Sequence, residues 1–180
     1  MTATPPLEIE RKYLIEMPKT EALAAMDGAR VFAITQTYLT APKGISRRVR
    51  EKREGARTVY ILTEKERVSA LSAVEREREI TAKEYERALA DAAPDATPIE
   101  KTRYAVPFGR HTLEIDIYPF WADCAILEIE LSSEEEEITL PPFLSVICEV
   151  TADGRFKNAS LARNIEKRGD LPRLFCKKAP

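Results

Sequence analysis

The sequence predicts a mainly β, α+β fold: eight antiparallel strands forming a barrel or a sandwich, with flanking helices. Three observations lead there. Strand-like segments recur at 7–15, 45–52, 58–65, 73–80, 99–106, 111–118, 125–131 and 146–151. Turn-rich stretches separate them, among them APKG (41–44), REGA (53–56) and PFGR (107–110). Within the segments charged and apolar residues alternate, the period-two pattern of a strand with one buried face.

The first segment, LEIERKYLI, places Leu7, Ile9, Tyr13 and Ile15 on one side and Glu8, Glu10, Lys12 and Leu14 on the other. A helix is expected at 18–27, after Met17-Pro18. In 45–52, Arg48 and Arg50 flank Val49, and in 58–65, Ile61, Thr63 and Lys65 share a face. Segment 73–80 carries Glu75 and Glu77, although Arg76 and Arg78 charge its other face too. A second helix is expected at 82–92, because Thr81-Ala82-Lys83-Glu84 has the spacing of a capping box. Lys101 and Arg103 oppose Thr102, Tyr104 and Val106. Glu114 and Asp116 alternate with Leu113, Ile115 and Ile117, and Glu128 and Glu130 with Leu127, Ile129 and Leu131. A third helix, 158–168, stops at Gly169. SSEEEE (132–137) reads as a solvated turn or short helix, and 171–180 is an unassigned tail on a single domain spanning 1–180.

Composition narrows the class. Thirty acids and 28 bases nearly cancel, which argues against a generic nucleic-acid binder. No apolar run is long enough to span a bilayer, and MTATPPLE lacks the features of a signal peptide. Cys124, Cys148 and Cys176 are an odd set without CxxC, so neither a disulfide framework nor a zinc site is indicated. His111, the single histidine, reads as structural. The expectation is a reduced cytoplasmic protein without nucleic-acid or membrane partners; a homodimer stays open.

The charges are sorted by strand, in acidic pairs (EIE, ERE, EID, EIE) and basic ones (RVR, KTR). Solvated faces usually mix signs, since neighbouring like charges repel. If the apolar faces pack outward against helices, the charged faces line the barrel, whose interior holds side chains or one small ligand. Unpaired charge there is costly, so the bore needs a polyanion for its bases and divalent cations for its carboxylates. Oxygen-only ligands suit Mg²⁺ or Mn²⁺. Two amphipathic sheets with wet faces remain open on pattern alone.

EIERK at the N-terminus resembles the E-x-E-x-K signature of the triphosphate tunnel metalloenzymes, the CYTH superfamily. The resemblance continues in order through QTYLT, RRVRE, TEK, EREREI, EKTRY, LEIDIY, ILEIELS and EVTADGRFKNASLA, to about residue 165. It implies a closed eight-stranded antiparallel barrel, a tunnel that binds a triphosphate with divalent metal. By that resemblance Glu8, Glu10, Glu128 and Glu130 look like metal ligands, with Glu75, Glu77 and Asp116 as further candidates. Lys12, Arg48, Arg50, Lys65, Lys101 and Arg103 look like a triphosphate cradle, and Lys157 a basic residue near its mouth. Lys101 with Tyr38 resembles a catalytic lysine–tyrosine pair, with Lys101 as the base and Tyr38 orienting it. Glu64, in LTEK, departs from the pattern and puts the register of that strand in doubt.

The short form with QTYL and EKTRY most resembles bacterial inorganic triphosphatases, which implies hydrolysis of tripolyphosphate to pyrophosphate and phosphate. A nucleoside or thiamine triphosphatase, a class IV adenylyl cyclase and a non-catalytic polyphosphate-binding module are the alternatives.

Overall fold

In the computed structural model, residues 7–69 and 72–172 are described. The N-terminal 1–6 and the tail from 173, which includes Cys176, lie outside the described residues. In chain order the elements are β1 (Leu7–Glu16), α1 (Thr20–Ala24), β2 (Arg30–Leu39), β3 (Ile45–Glu54), β4 (Arg57–Arg67) and β5 (Ser72–Ile80). They continue as α2 (Ala82–Leu89), β6 (Ile99–Phe108), β7 (His111–Ile117), β8 (Cys124–Glu130) and β9 (Val146–Glu149). A 3-10 turn (Gly154–Phe156), α3 (Asn158–Arg163) and α4 (Ile165–Arg168) follow.

The strands pair antiparallel in the order β5-β4-β3-β2-β6-β7-β8-β1, and β1 then pairs with β5 to close an eight-stranded barrel. Closure depends on β1 serving two neighbours along one edge. Its first residues, Leu7–Ile9, pair with β5, and its last, Tyr13–Ile15, pair with β9. β9 therefore lies outside the ring, a ninth strand that covers the part of β1 left free by β5.

The barrel count matches expectation, but its membership differs. Segment 146–151 supplies the outside strand, and β2, unassigned from the sequence, completes the ring. The reason lies in RVFAITQTYL, which shows no polar and apolar sides. Its inward face reads Arg30, Phe32, Ile34, Gln36, Tyr38, and its outward face is nearly as apolar. The helix expected at 18–27 shortens to α1, and the one expected at 158–168 divides at Asn164.

The core lies mainly outside the ring. Ile15, Leu113, Ile115, Leu127 and Ile129 point outward against Leu23 of α1 and Leu144. Leu39, Val49 and Ile80 pack against Tyr85 of α2. At one end the inward faces turn apolar: Leu14, Tyr38, Ile99 and Tyr118 join Phe156 and Leu161 of the C-terminal segment. Leu14 thus ends the charged row of Glu8, Glu10 and Lys12 in this plug. No helix among the described residues is long and apolar enough to cross a membrane.

α2 opens with the expected capping box: the Thr81 hydroxyl accepts from the Glu84 amide, and the Glu84 carboxylate accepts from the Thr81 amide at 2.8 Å. Thr81→Ala should lower the melting temperature by about 2–4 °C, read by thermal denaturation. An unchanged melting point would mean that packing of Tyr85 alone holds the helix.

Candidate active site

Strand alternation sends every second side chain into the barrel, and the strand order decides what they meet. β3 and β6, the basic strands, flank β2, whose inward residues Ile34, Gln36 and Tyr38 carry no charge. β7, β8, β1 and β5 follow one another beyond β6 and carry the carboxylates, and β4, with Lys65, stands between β5 and β3. The interior therefore has a basic wall facing an acidic one, with Lys12 and Lys65 as basic residues on the acidic side. Between them lies a cavity of about 530 Å³.

Almost every site residue expected from the sequence lines this cavity. Glu8, Glu10, Lys12, Tyr38, Arg48, Arg50, Lys65, Glu75, Glu77, Lys101, Arg103, Glu128, Glu130 and Lys157 all reach it. Asp116 does not. Its side chain is wholly buried behind the lining, where Oδ1 accepts from Arg103 Nε at 2.6 Å and Oδ2 from Arg103 Nη2 at 2.7 Å and from Lys101 Nζ. Both oxygens are taken by Arg103 and Lys101, so in this structure the carboxylate expected as a further metal-ligand candidate does not face the cavity. Glu114, two residues earlier, is the carboxylate of β7 that faces the cavity.

Arg103 is the hub of the basic wall. Besides Asp116 it donates to Glu128 Oε2 at 2.7 Å and to Glu114. A guanidinium has five N–H donors, so these four bonds leave one for a ligand. Glu128 is gripped from the other side by Lys12 Nζ at 2.6 Å. Burial opposes the charge of Glu128, yet Lys12 and Arg103 outweigh it and hold the carboxyl well below the usual range. Burial likewise works against Lys12, and Glu128 and Glu10 override it and raise its pKa.

Lys101 behaves differently. Its ammonium has 1% side-chain exposure, and burial, then the nearby Arg103, lowers its pKa to about 8 despite Asp116 and Glu128. The expected partner of Lys101 is not the observed one. Tyr38 Oη accepts from Gln36 Nε2 at 2.8 Å, whereas Lys101 donates to Asp116. Register explains this: Lys101 lies opposite Ile34, four residues before Tyr38 on β2.

On β3, Arg48 Nη2 meets Glu75 Oε1 at 3.2 Å, and Arg50 pairs with Glu77. The Nε donors of both arginines are buried and have no acceptor among the described residues. Lys65 contacts Glu8 and lies 3.3 Å from Glu75. The doubt raised by Glu64 is resolved outside the barrel, where Arg47 Nε meets it at 2.9 Å and leaves Lys65 facing in.

The carboxylates of β1 and β8 carry a surplus of negative charge. Glu10 lies directly across from Glu130. Burial pushes Glu8 up to about 7 against the pull of Lys65, and burial with Glu114 and Glu10 raises Glu130. Glu130 has no ion pair among the described residues. An all-oxygen donor set with surplus charge fits a hard divalent cation. No three of these carboxylates yet converge as a metal cage among the described residues, since Lys65 draws on Glu8 while Lys12 and Arg103 hold Glu128.

Sequence reasoning passed over Gln36, Glu114 and Lys52. Gln36 sits on the unassigned strand. Glu114 was visible in the alternation of LEIDIY, and Lys52 continues the i, i+2 row of Arg48 and Arg50.

The geometry agrees with the comparisons. Over 163 residues the chain is 32% identical to the inorganic triphosphatase of Nitrosomonas europaea, covering 88% of this chain and 98% of that protein. The crystal structure of an inorganic triphosphatase matches at 28% identity with a TM-score of 0.52, covering 87% of this chain and 95% of the other. A protein of Pyrococcus horikoshii shares the fold at a TM-score of 0.57 and 20% identity, over 71% of this chain and 80% of that one. No protein-family model matches the chain. With E-x-E-x-K opening a closed eight-stranded barrel, and a relative of this identity over nearly its whole length, the chain belongs to the CYTH superfamily of triphosphate tunnel metalloenzymes.

Proposed function

We propose that the protein hydrolyses inorganic tripolyphosphate to pyrophosphate and orthophosphate inside its barrel, with Mg²⁺ or Mn²⁺. The observation that carries this reading is the basic wall of β3 and β6 facing the acidic wall of β1 and β8 across one cavity. A polyanion fits the first, a cation the second, and each screens the other's charge. The inorganic triphosphatase of Nitrosomonas europaea supports the choice of substrate.

Arg48 and Arg50 bind phosphate oxygens through their planar forks, with Nε donors that have no acceptor among the described residues. Lys12, Lys65 and the remaining N–H of Arg103 add positive charge along the chain of phosphates, and Lys157 stands at the mouth. Glu10 and Glu130, with Glu8 and Glu128 beside them, would hold the divalent cation; Glu75 and Glu77 instead orient Arg48 and Arg50. When bound, the metal neutralises charge that develops on the phosphoryl oxygens. Lys101 Nζ, held by Asp116, takes the proton of a water whose oxygen attacks the terminal phosphorus. The phosphoanhydride bond breaks, and pyrophosphate leaves with its electron pair. Tyr38 positions Gln36 and closes the apolar end of the cavity.

Phosphate release from tripolyphosphate should require Mg²⁺ or Mn²⁺ and vanish in excess chelator. Tripolyphosphate should exceed ATP widely in kcat/KM, because no described group in the cavity suits a base. Full activity in chelator would remove the metal from the mechanism. Equal turnover of ATP, or production of cyclic AMP, would reassign the substrate.

A further inference from the structure

The barrel interior continues past the main cavity. A second cavity of about 660 Å³ lies toward Arg30, Pro107 and Arg110, and the two share Lys52, Glu114 and Glu130 as lining. Lys52 stands at this junction. It extends the inward row of β3 by two residues beyond Arg50, about 7 Å along the strand. Its ammonium lies 3.9 Å from the ring centroid of Phe32, and the Arg30 guanidinium lies 4.9 Å from the same ring.

The row on β3 is neutralised unevenly. Arg48 has Glu75, Arg50 has Glu77, and Arg30 on β2 is bound by Glu54 at 2.6 and 2.7 Å. Lys52 has no ion pair among the described residues. Glu114, the carboxylate that acts on it most strongly, is engaged by Arg103. Burial, and after it the bases Arg103, Arg50 and Arg30, lowers the Lys52 pKa in spite of Glu114. The face of Phe32 orients this ammonium without neutralising it. A compact, unpaired ammonium in a cavity suits one anionic phosphoryl group.

We propose that Lys52, seated on Phe32, is a subsite for one phosphoryl group beyond the triphosphate cradle, opening toward the second cavity. Its occupant is either the fourth phosphate of a longer linear polyphosphate or the orthophosphate released by hydrolysis. The subsite rests on the tripolyphosphate reading of the cradle.

Calorimetric titration of the full chain in chelator, where no turnover is expected, tests the subsite separately from catalysis. The probes are tripolyphosphate, tetrapolyphosphate and orthophosphate, against wild type, Lys52→Met and Phe32→Leu. If the chain end fills the subsite, wild type binds tetrapolyphosphate about tenfold more tightly than tripolyphosphate. Lys52→Met then erases that advantage and leaves tripolyphosphate affinity within about twofold, and Phe32→Leu reduces it in part. If orthophosphate fills it, the two chains bind equally, and orthophosphate binds to tripolyphosphate-saturated wild type and not to Lys52→Met.

Equal binding of the two chains with no orthophosphate binding would overturn the proposal. So would a Lys52→Met variant that weakens both chains by the same factor, or a wild type that binds neither. Failure to hydrolyse tripolyphosphate with metal, while these binding differences persist, would instead defeat the proposed function and leave the subsite standing.

Discussion

Lys101→Met should reduce turnover of tripolyphosphate by about 10²–10⁴-fold, the usual contribution of a positioned general base. Lys101→Arg should be nearly as inactive, because a guanidinium keeps its proton at any working pH. Both variants should still bind tripolyphosphate, since Arg48, Arg50, Lys12 and Lys65 remain. The wild-type rate should rise about tenfold per pH unit below about 8 and level off above it, as the buried amine loses its proton. The stability linkage has the same direction. With a folded pKa of about 8 against 10.5 for an ordinary lysine, the unfolded chain binds more protons between these values. Through this group stability rises with pH across that window, and below about 8 the folded state carries the full penalty of a buried ammonium. A Lys101→Arg variant that keeps most of kcat would make Lys101 a phosphate clamp and place the base elsewhere.

Arg103→Met should be the most destabilising substitution in the barrel, by about 3–5 kcal/mol, because it removes the common partner of buried carboxylates. Asp116 has no exposed side chain and Glu128 has 10%, so water cannot replace the lost bonds. In the wild type, Arg103 with Lys101 and Lys12 holds Asp116 and Glu128 below their ordinary values of 3.8 and 4.5, against burial. Their contribution is present above those values and is lost as pH falls through the lower folded pKa values. In Arg103→Met that dependence should weaken or reverse, the variant regaining stability as Asp116 and Glu128 take up protons. Denaturant titrations of both proteins from neutral to acid pH would show it. Adding Asp116→Asn should restore part of the loss, since a neutral amide no longer needs the guanidinium. A variant that unfolds at the wild-type midpoint would mean that Lys12 and Lys101 suffice to hold the carboxylates.

Much of the site was legible because alternation is a local property. Glu8, Glu10 and Lys12 had to share a face, as did Arg48 with Arg50 and Lys101 with Arg103, whatever the rest of the chain did. The same rule put Glu114 and Asp116 on one face but could not rank them. Depth along the bore depends on where β7 meets β6 and β8, and that register buries Asp116 behind the lining. β2 was illegible for a related reason. Its inward face mixes Arg30 with Phe32, Ile34, Gln36 and Tyr38, and its outward face is largely apolar, so the strand shows no clear contrast between its two faces.

The sequence by itself determined that acids and bases would be sorted onto separate strands and that those faces would be lined up by alternation. It also determined the capping box and the E-x-E-x-K opening. Only the tertiary structure decided which strands became neighbours. β3 and β6 stand either side of neutral β2, and β7, β8, β1 and β5 follow in one arc, because β1 closes the ring onto β5. Local pattern is set by the pleat of one strand, whereas wall composition is set by pairings between residues as far apart in the chain as Glu10 and Glu130. Those pairings turn scattered charge pairs into a basic wall facing an acidic one. The same registers gave Lys101 to Asp116 rather than to Tyr38.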